Sequence, residues 1–235
     1  MNHERGHMHP LSQAIREINA IFSEMGFSFA SGPIVESEHY NFDMLNVPRN
    51  HPARDMQDTF WVRGQKEMVL RTHTSPVQVR YMEEQQPPIR IIAPGRVYRN
   101  EATDATHEAQ FFQLEGLVVD EGITLGHLKG TLESFFSKFY KRDIVVRFRP
   151  GYFPFVEPGV EVDMLFTKRD GTKRWLEIMG AGMVHPRVLE NAGIDPVRYR
   201  GFAFGVGLER LVSVRHEIDD VRLYHTGDLR FVNQF

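Results

Sequence analysis

The chain has 235 residues, 41% of them hydrophobic and 25% charged, and 28 Lys and Arg against 31 Asp and Glu give a net charge of −3. That composition suits a globular protein and excludes one whose main work is coating nucleic acid, which needs a basic excess to displace counterions. Zero cysteines exclude disulfides, thiolate metal centres and cysteine nucleophiles, and no run of 18 apolar residues is present to span a membrane.

The opening Met1–His9 is polar and has no apolar secretion signal, so a cytoplasmic protein is expected, with residues 1–9 a flexible tail. His3, His7 and His9 lie there without a second ligand group at metal-site spacing. Leu11, Ile15, Ile18, Ile21, Phe22 and Met25 recur at helical spacing, with Pro10 suited to the first turn and Gly26 to the position past the end. From Phe27 to Val119 proline, glycine and short β-branched runs predict strands and loops, the clearest strands being Ile89–Ala93, Arg96–Asn100 and Phe111–Val119. Thr124 caps a second predicted helix with Leu125, Leu128, Leu132, Phe135, Phe136 and Phe139 on one stripe. Strands are predicted at Ile144–Phe148, Val160–Phe166 and Arg174–Met179, the last two flanking a tight turn at Asp170-Gly171. A final helix begins near Gly207. Hairpins without a strand–helix–strand rhythm imply an α+β domain over residues 10–235, a mainly antiparallel sheet flanked by helices. There is no G-x-x-x-x-G-K-[ST] loop and no G-x-G-x-x-G after a strand, so a bound nucleotide would lie on the sheet.

Three stretches carry candidate chemistry. Arg99 and Glu101 share a strand face, as do Phe111, Gln113 and Glu115 after the polar loop Ala102–Gln110, while Phe112, Leu114 and Leu117 have core character. Four adjacent polar groups form either a solvated outer face or a site. In Arg149–Gly159 three prolines allow only an edge strand, and Phe153 and Phe155 are either core filler or the walls of a slot for a flat apolar ligand. In Gly201–Arg210 alternating glycines leave a strand face bare, and Arg210 stands in a first helical turn against the helix dipole. Its planar cation can stack on a purine or grip a phosphate.

Together these stretches resemble the signature motifs of class II aminoacyl-tRNA synthetases, and most closely the catalytic α subunits of the bacterial phenylalanyl enzymes. Gly32-Pro33, His39-Tyr-Asn-Phe-Asp43 and His51-Pro-Ala-Arg54 are similar to motif 1, Tyr98-Arg-Asn-Glu101 to motif 2 and Gly205-Val-Gly-Leu-Glu-Arg210 to motif 3. Asp58-Thr-Phe-Trp61, Arg71-Thr-His-Thr-Ser75, Phe153-Pro-Phe155 and Gly180-Ala-Gly-Met-Val-His-Pro186 extend the resemblance across nearly the whole chain. It implies the class II fold and activation of phenylalanine with ATP, followed by transfer to tRNA(Phe). The implied catalytic residues are Arg99, Glu101 and Arg210. Arg99 would meet the α-phosphate and the substrate carboxylate, Glu101 the adenine side, and His107 the nucleotide, with adenine between Arg210 and Phe111. Trp61, His73, Ser75, Gln113 and Glu115 would hold the amino acid's polar end, and Phe153, Phe155, Val156 and Ala203 its ring. Mg2+ would bridge the phosphates, with Glu177 as candidate ligand.

The resemblance also implies a β subunit in a heterotetramer and an N-terminal coiled-coil arm that this sequence does not contain, while Asp228–Phe235 resembles the family's C-terminal end. An excised catalytic domain, a minimal synthetase and a paralogue all fit. A homodimer through motif 1 would bury Phe22, Met25 and the strand after Pro33 between chains. Two other functions share these residues: amino-acid adenylation for a non-tRNA acceptor, and a non-catalytic binding module. The latter is expected to lack Arg99, Glu101 or Arg210, and all three are present.

Overall fold

The computed structural model describes residues 6–55, 58–167 and 171–235. His3 and Asp170 lie outside the described residues. The first helix, α1 (Pro10–Glu24), has the expected Pro10 start, and Gly26 follows it at φ 81°. His9 caps it by accepting the Leu11 N–H, and its Nε2 lies 3.0 Å from the Tyr224 carbonyl. The short strands β1 (Ser28–Phe29), β2 (Val35–Ser37) and β3 (Met68–Leu70) follow, with a π-helical turn at His39–Asp43 and a 3-10 turn at Pro52–Arg54.

Next comes a helix that the sequence reading missed, α2 (Ser75–Glu84). Its Val77-Gln78-Val79 alternates like a strand, yet all three are buried, because α2 packs against the domain on more than one side. The expected strands at Ile89–Ala93 and Arg96–Asn100 are one strand, β4 (Ile89–Tyr98), antiparallel to β5 (Gln110–Asp120). Pro94 and Gly95 fit inside it because β1, the parallel partner on the other side, ends opposite Ile92. Beyond that point the Arg71 side chain takes the edge, donating to the Arg96 and Gly32 carbonyls.

Helix α3 (Leu125–Tyr140) has the Thr124 cap, reinforced by His127, and strands β6 (Val146–Phe153), β7 (Val156–Thr167) and β8 (Lys173–Val184) form a meander. Of the three prolines expected on an edge, Pro150 is in the edge strand β6, but Pro158 is in the interior strand β7, at an irregularity where the register with β8 shifts between Val156 and Gly159. Pairing of Thr167 with Lys173 makes the β7–β8 connection five residues long, with Gly171 at φ 84°. A further short helix, α4 (Pro186–Asn191), leads to β9 (Arg200–Gly207), which runs into α5 (Leu208–His216), and α6 (Leu229–Val232) lies near the C-terminus.

The main sheet has seven strands in the order β1-β4-β5-β9-β8-β7-β6, antiparallel except for β1 with β4, so the α+β architecture is as expected. One face is sealed by α1, α3 and α5 over a core that includes Leu114, Val118, Phe202 and Phe204. Phe22 belongs there too: fully buried, it packs on Phe27, Phe135 and Phe204, which corrects its expected place in a dimer interface. The opposite face carries a second core of Leu117, Val119, Ala203, Val156 and Val184 with residues of α2 and α4. Both faces of β5 are therefore buried, and Gln113 and Glu115, which share the Leu117 side, stand in a protein interior rather than on a wet surface.

Candidate active site

Strand register builds the floor. Glu115 pairs with Gly205, Gly205 with Gly180, and Gly180 with Glu161, so two glycines stand between two carboxylates. A methyl group on Gly180 would lie 2.7 Å from Phe153 Cζ, and one on Gly205 would lie 2.8 Å from Gln113 Nε2. The bare backbone is thus what leaves the space open.

Above that floor is a cavity of about 450 Å³. Its apolar end contains Phe153, Phe155, Val156 and Ala203, joined by Leu45, Ala181, Val184 and Val188. The two phenylalanine rings are stacked with centroids 6.0 Å apart, which suits the wall of a slot for a third flat group. Two asparagines brace this end: Asn191 donates to the Met44 carbonyl, and Asn46, at φ 57°, donates to the Pro154 carbonyl at 2.7 Å. Leu45 sits between the two braced positions.

The polar end gathers His73, Ser75, Gln113 and Glu115, all expected. Three donors converge on the Glu115 carboxylate: Ser75 Oγ at 2.6 Å, Gln78 Nε2 at 2.7 Å and Gln113 Nε2 at 2.9 Å. Burial nevertheless pushes the carboxyl up to about 7, outweighing the Ser75 bond and the charges of Arg99 and Arg71. His73 goes the other way: burial, then the Arg99 charge, hold its imidazole down to about 3, so it is neutral at pH 7. Gln113 Oε1 is enclosed without a hydrogen-bond partner, a state that a polar ligand in the cavity relieves, and Trp61 Nε1 is likewise enclosed and unpartnered. Trp61 bridges to Val69 and does not line the cavity itself. Gln78 escaped the sequence reading together with α2. Had the helix been recognised, its i, i+3 spacing from Ser75 would have put both on one face.

A second cleft, of about 1160 Å³, opens beside the first and shares Arg99, Glu101, Phe153 and Gly180 with it. It contains the expected His107, Phe111, Glu177 and Arg210. Arg99 is at the seam: its Nε donates to the Thr72 carbonyl at 3.2 Å and its guanidinium lies 5.0 Å from the Phe111 ring centroid. Burial lowers its pKa, yet an arginine stays charged. Arg210 donates to the Glu177 carbonyl at 3.0 Å. The loop carrying His107 is knotted around Asp104, which accepts the Thr106 and His107 N–H groups, and it is tied to the 3-10 turn Val221–His225 by Val221 N–H on the Ala105 carbonyl. The Glu177 carboxylate is largely exposed on the cleft wall, 3.0 Å from Arg149 Nη2. No set of three acidic or imidazole groups among the described residues is disposed around a metal ion, so a cation here would have Glu177 as one oxygen donor and take the rest from its ligand.

The arrangement can hold a flat apolar group with a cationic head in one cavity and a large anion in the other, with a guanidinium between them. The whole chain, residues 1–235, matches the family model for the tRNA synthetase class II core domain (F). It is 57% identical over 239 aligned residues to a phenylalanine–tRNA ligase alpha subunit of Alkaliphilus metalliredigens, covering 99% of this chain and 70% of the relative. A protein of the same name from Dehalococcoides mccartyi is 54% identical over 242 residues (98% and 70%), and one from Prochlorococcus marinus is 55% identical over 230 residues (98% and 66%).

Proposed function

The chain belongs to the class II tRNA synthetase core family, and we propose that its reaction is the one its relatives' name describes, the ligation of phenylalanine to tRNA. The observation that carries this reading is the seam itself, where Arg99 stands between an aromatic slot and a polar cleft that open into one another.

Phenylalanine enters with its ring against the wall formed by the stacked Phe153 and Phe155 and against Val156 and Ala203. Its ammonium lies toward Ser75, Gln113 and Glu115, with His73 as a further polar contact, while Trp61, expected there, stands outside the cavity lining. A neutral His73 suits this role, since an imidazolium would repel the ammonium. ATP occupies the larger cleft with adenine between Phe111 and Arg210, Glu101 on the adenine side and His107 over the nucleotide. In the first step a carboxylate oxygen of phenylalanine attacks the α-phosphorus and pyrophosphate leaves. In the second a terminal ribose hydroxyl of tRNA(Phe) attacks the acyl carbon, and AMP leaves with the electron pair. Both the attacking group and the phosphate are anions, and Arg99 lowers the cost of bringing them together and of the charge that develops. Magnesium, where bound, neutralises the phosphates and would have Glu177 as its protein ligand.

The relatives are named as alpha subunits, which implies a partner subunit. With a net charge of −3 the chain has no basic surplus to grip tRNA, so the β subunit of a family-type heterotetramer would supply that contact, in the cytoplasm. The test is phenylalanine-dependent exchange between ATP and pyrophosphate, by the chain alone and with a family β subunit. Exchange specific to phenylalanine and abolished by Arg99→Ala is expected. Equal exchange by Arg99→Ala, or none from the assembled protein, would overturn the assignment.

A further inference from the structure

We propose that Glu209 is a positioning residue that sets the gap between the two walls of the nucleotide cleft. The proposal rests on the reading above, in which adenine lies between Phe111 and Arg210. Glu209 immediately precedes Arg210 in the first turn of α5. Its side chain crosses to the start of β5, where Oε1 and Oε2 accept the Phe112 N–H at 2.9 and 3.1 Å. One carboxylate therefore links the neighbours of Phe111 and Arg210, which line the same cleft, across 97 residues of sequence.

The chemistry is expensive for a merely structural clip. Glu209 is only 4% exposed, and burial pushes its carboxyl up to about 7. Its bonds go to backbone N–H groups, not to a cation, and His225 Nε2 stands 3.7 Å from Oε1, too far for a hydrogen bond. An apolar side chain would fill the same volume without that cost. What an apolar residue lacks is a fixed length and direction between α5 and β5. Gly207, at the cap of α5, contributes no side-chain bond, so Glu209 ties this helix start to β5, while the Arg210 side chain reaches the Glu177 carbonyl on β8. The same tie bears on Arg99, whose guanidinium rests near the Phe111 ring.

The test measures KM for ATP and for phenylalanine separately in pyrophosphate exchange, for Glu209→Ala, Glu209→Gln, Arg210→Ala and the double variant Glu209→Ala/Arg210→Ala. Loss of the tie should raise KM for ATP about tenfold, the size of one charge-assisted hydrogen bond, with KM for phenylalanine within about twofold. Glu209→Gln keeps an acceptor oxygen for Phe112 and should recover most of the loss, also serving if the alanine variant does not fold. In the Arg210→Ala background, where one wall is gone, Glu209→Ala should add less than about twofold. Fully additive losses, or equal rises in both KM values, would overturn the proposal. If Arg210→Ala raises KM for ATP while Glu209→Ala and Glu209→Gln do not, the tie alone fails. If Arg210→Ala leaves KM for ATP unchanged, the adenine reading fails and the tie with it.

Discussion

Replacing Glu115 by glutamine should change how the fold's stability depends on pH. The carboxyl is pushed from 4.5 up to about 7, chiefly by burial, against the pull of Ser75 and of the nearby arginines. A folded-state pKa above the unfolded value means that the folded protein binds its proton more tightly. The stability this contributes is fully present below pH 4.5 and is lost as pH rises through 7. The complete shift corresponds to about 3 kcal/mol, most of which falls between pH 5 and pH 8. Glutamine has nearly the same shape and no proton to lose, but it points an NH2 where the carboxylate accepted a donor from Ser75, Gln78 or Gln113. It should therefore cost about 1–3 kcal/mol at pH 5. By pH 8 its stability relative to the parent should have improved by about 2–3 kcal/mol. Urea denaturation at both pH values measures this, because Glu209 and His73, which also titrate with folding, are common to both proteins. Parallel pH profiles for the two proteins would show that the Glu115 carboxyl is not raised, and would remove the basis for a buried acid that titrates near neutrality at the head of the slot.

Other substitutions test the slot itself. Ala203→Gly removes the methyl facing the proposed ring and should improve kcat/KM for para-chlorophenylalanine by at least about tenfold in pyrophosphate exchange, the worth of one methyl-sized step in an apolar pocket; no gain would mean Ala203 is not near the para position. Gly180→Ala sets a methyl 2.7 Å from Phe153 Cζ and should drive that ring into the slot, raising KM for phenylalanine about tenfold and costing about 1–3 kcal/mol on urea unfolding. Asn46→Ala loses the bond to the Pro154 carbonyl and places a residue with a Cβ and no local polar bond at φ 57°, for a cost of about 2 kcal/mol, whereas Asn46→Gly should lose only about half of that. Equal costs for the two Asn46 variants on unfolding would show that the left-handed backbone there carries no strain.

Elements governed by local periodicity and capping could be read directly from the sequence. The α1 stripe, the Thr124 cap, the edge character of the proline-bearing β6 and the Gly207 entry into α5 each depend on residues within a few positions of one another. The motifs likewise named most of the expected residues that line the two cavities. Local reading failed where packing overrode it: α2 hides a helix behind the Val77-Gln78-Val79 alternation, and with it Gln78, a donor to the central carboxylate. A proline and a glycine broke β4 into two strands on paper, and only the edge left by β1 and taken by Arg71 explains why it continues.

What tertiary structure alone decided is where the polar residues stand. The pattern of Gln113 and Glu115 is the same on a wet sheet face as in a buried site, and only α2 closing over that face removes them from water. The row from Glu115 through Gly205 and Gly180 to Glu161 is assembled by strands far apart in sequence, so the open floor is a property of register and not of any one segment. Phe22 shows the same division, since its helical spacing marked it as buried but not by what. Periodicity tells which side chains must leave water, whereas the partners that receive them, and the pKa values that result, come from contacts between distant parts of the chain.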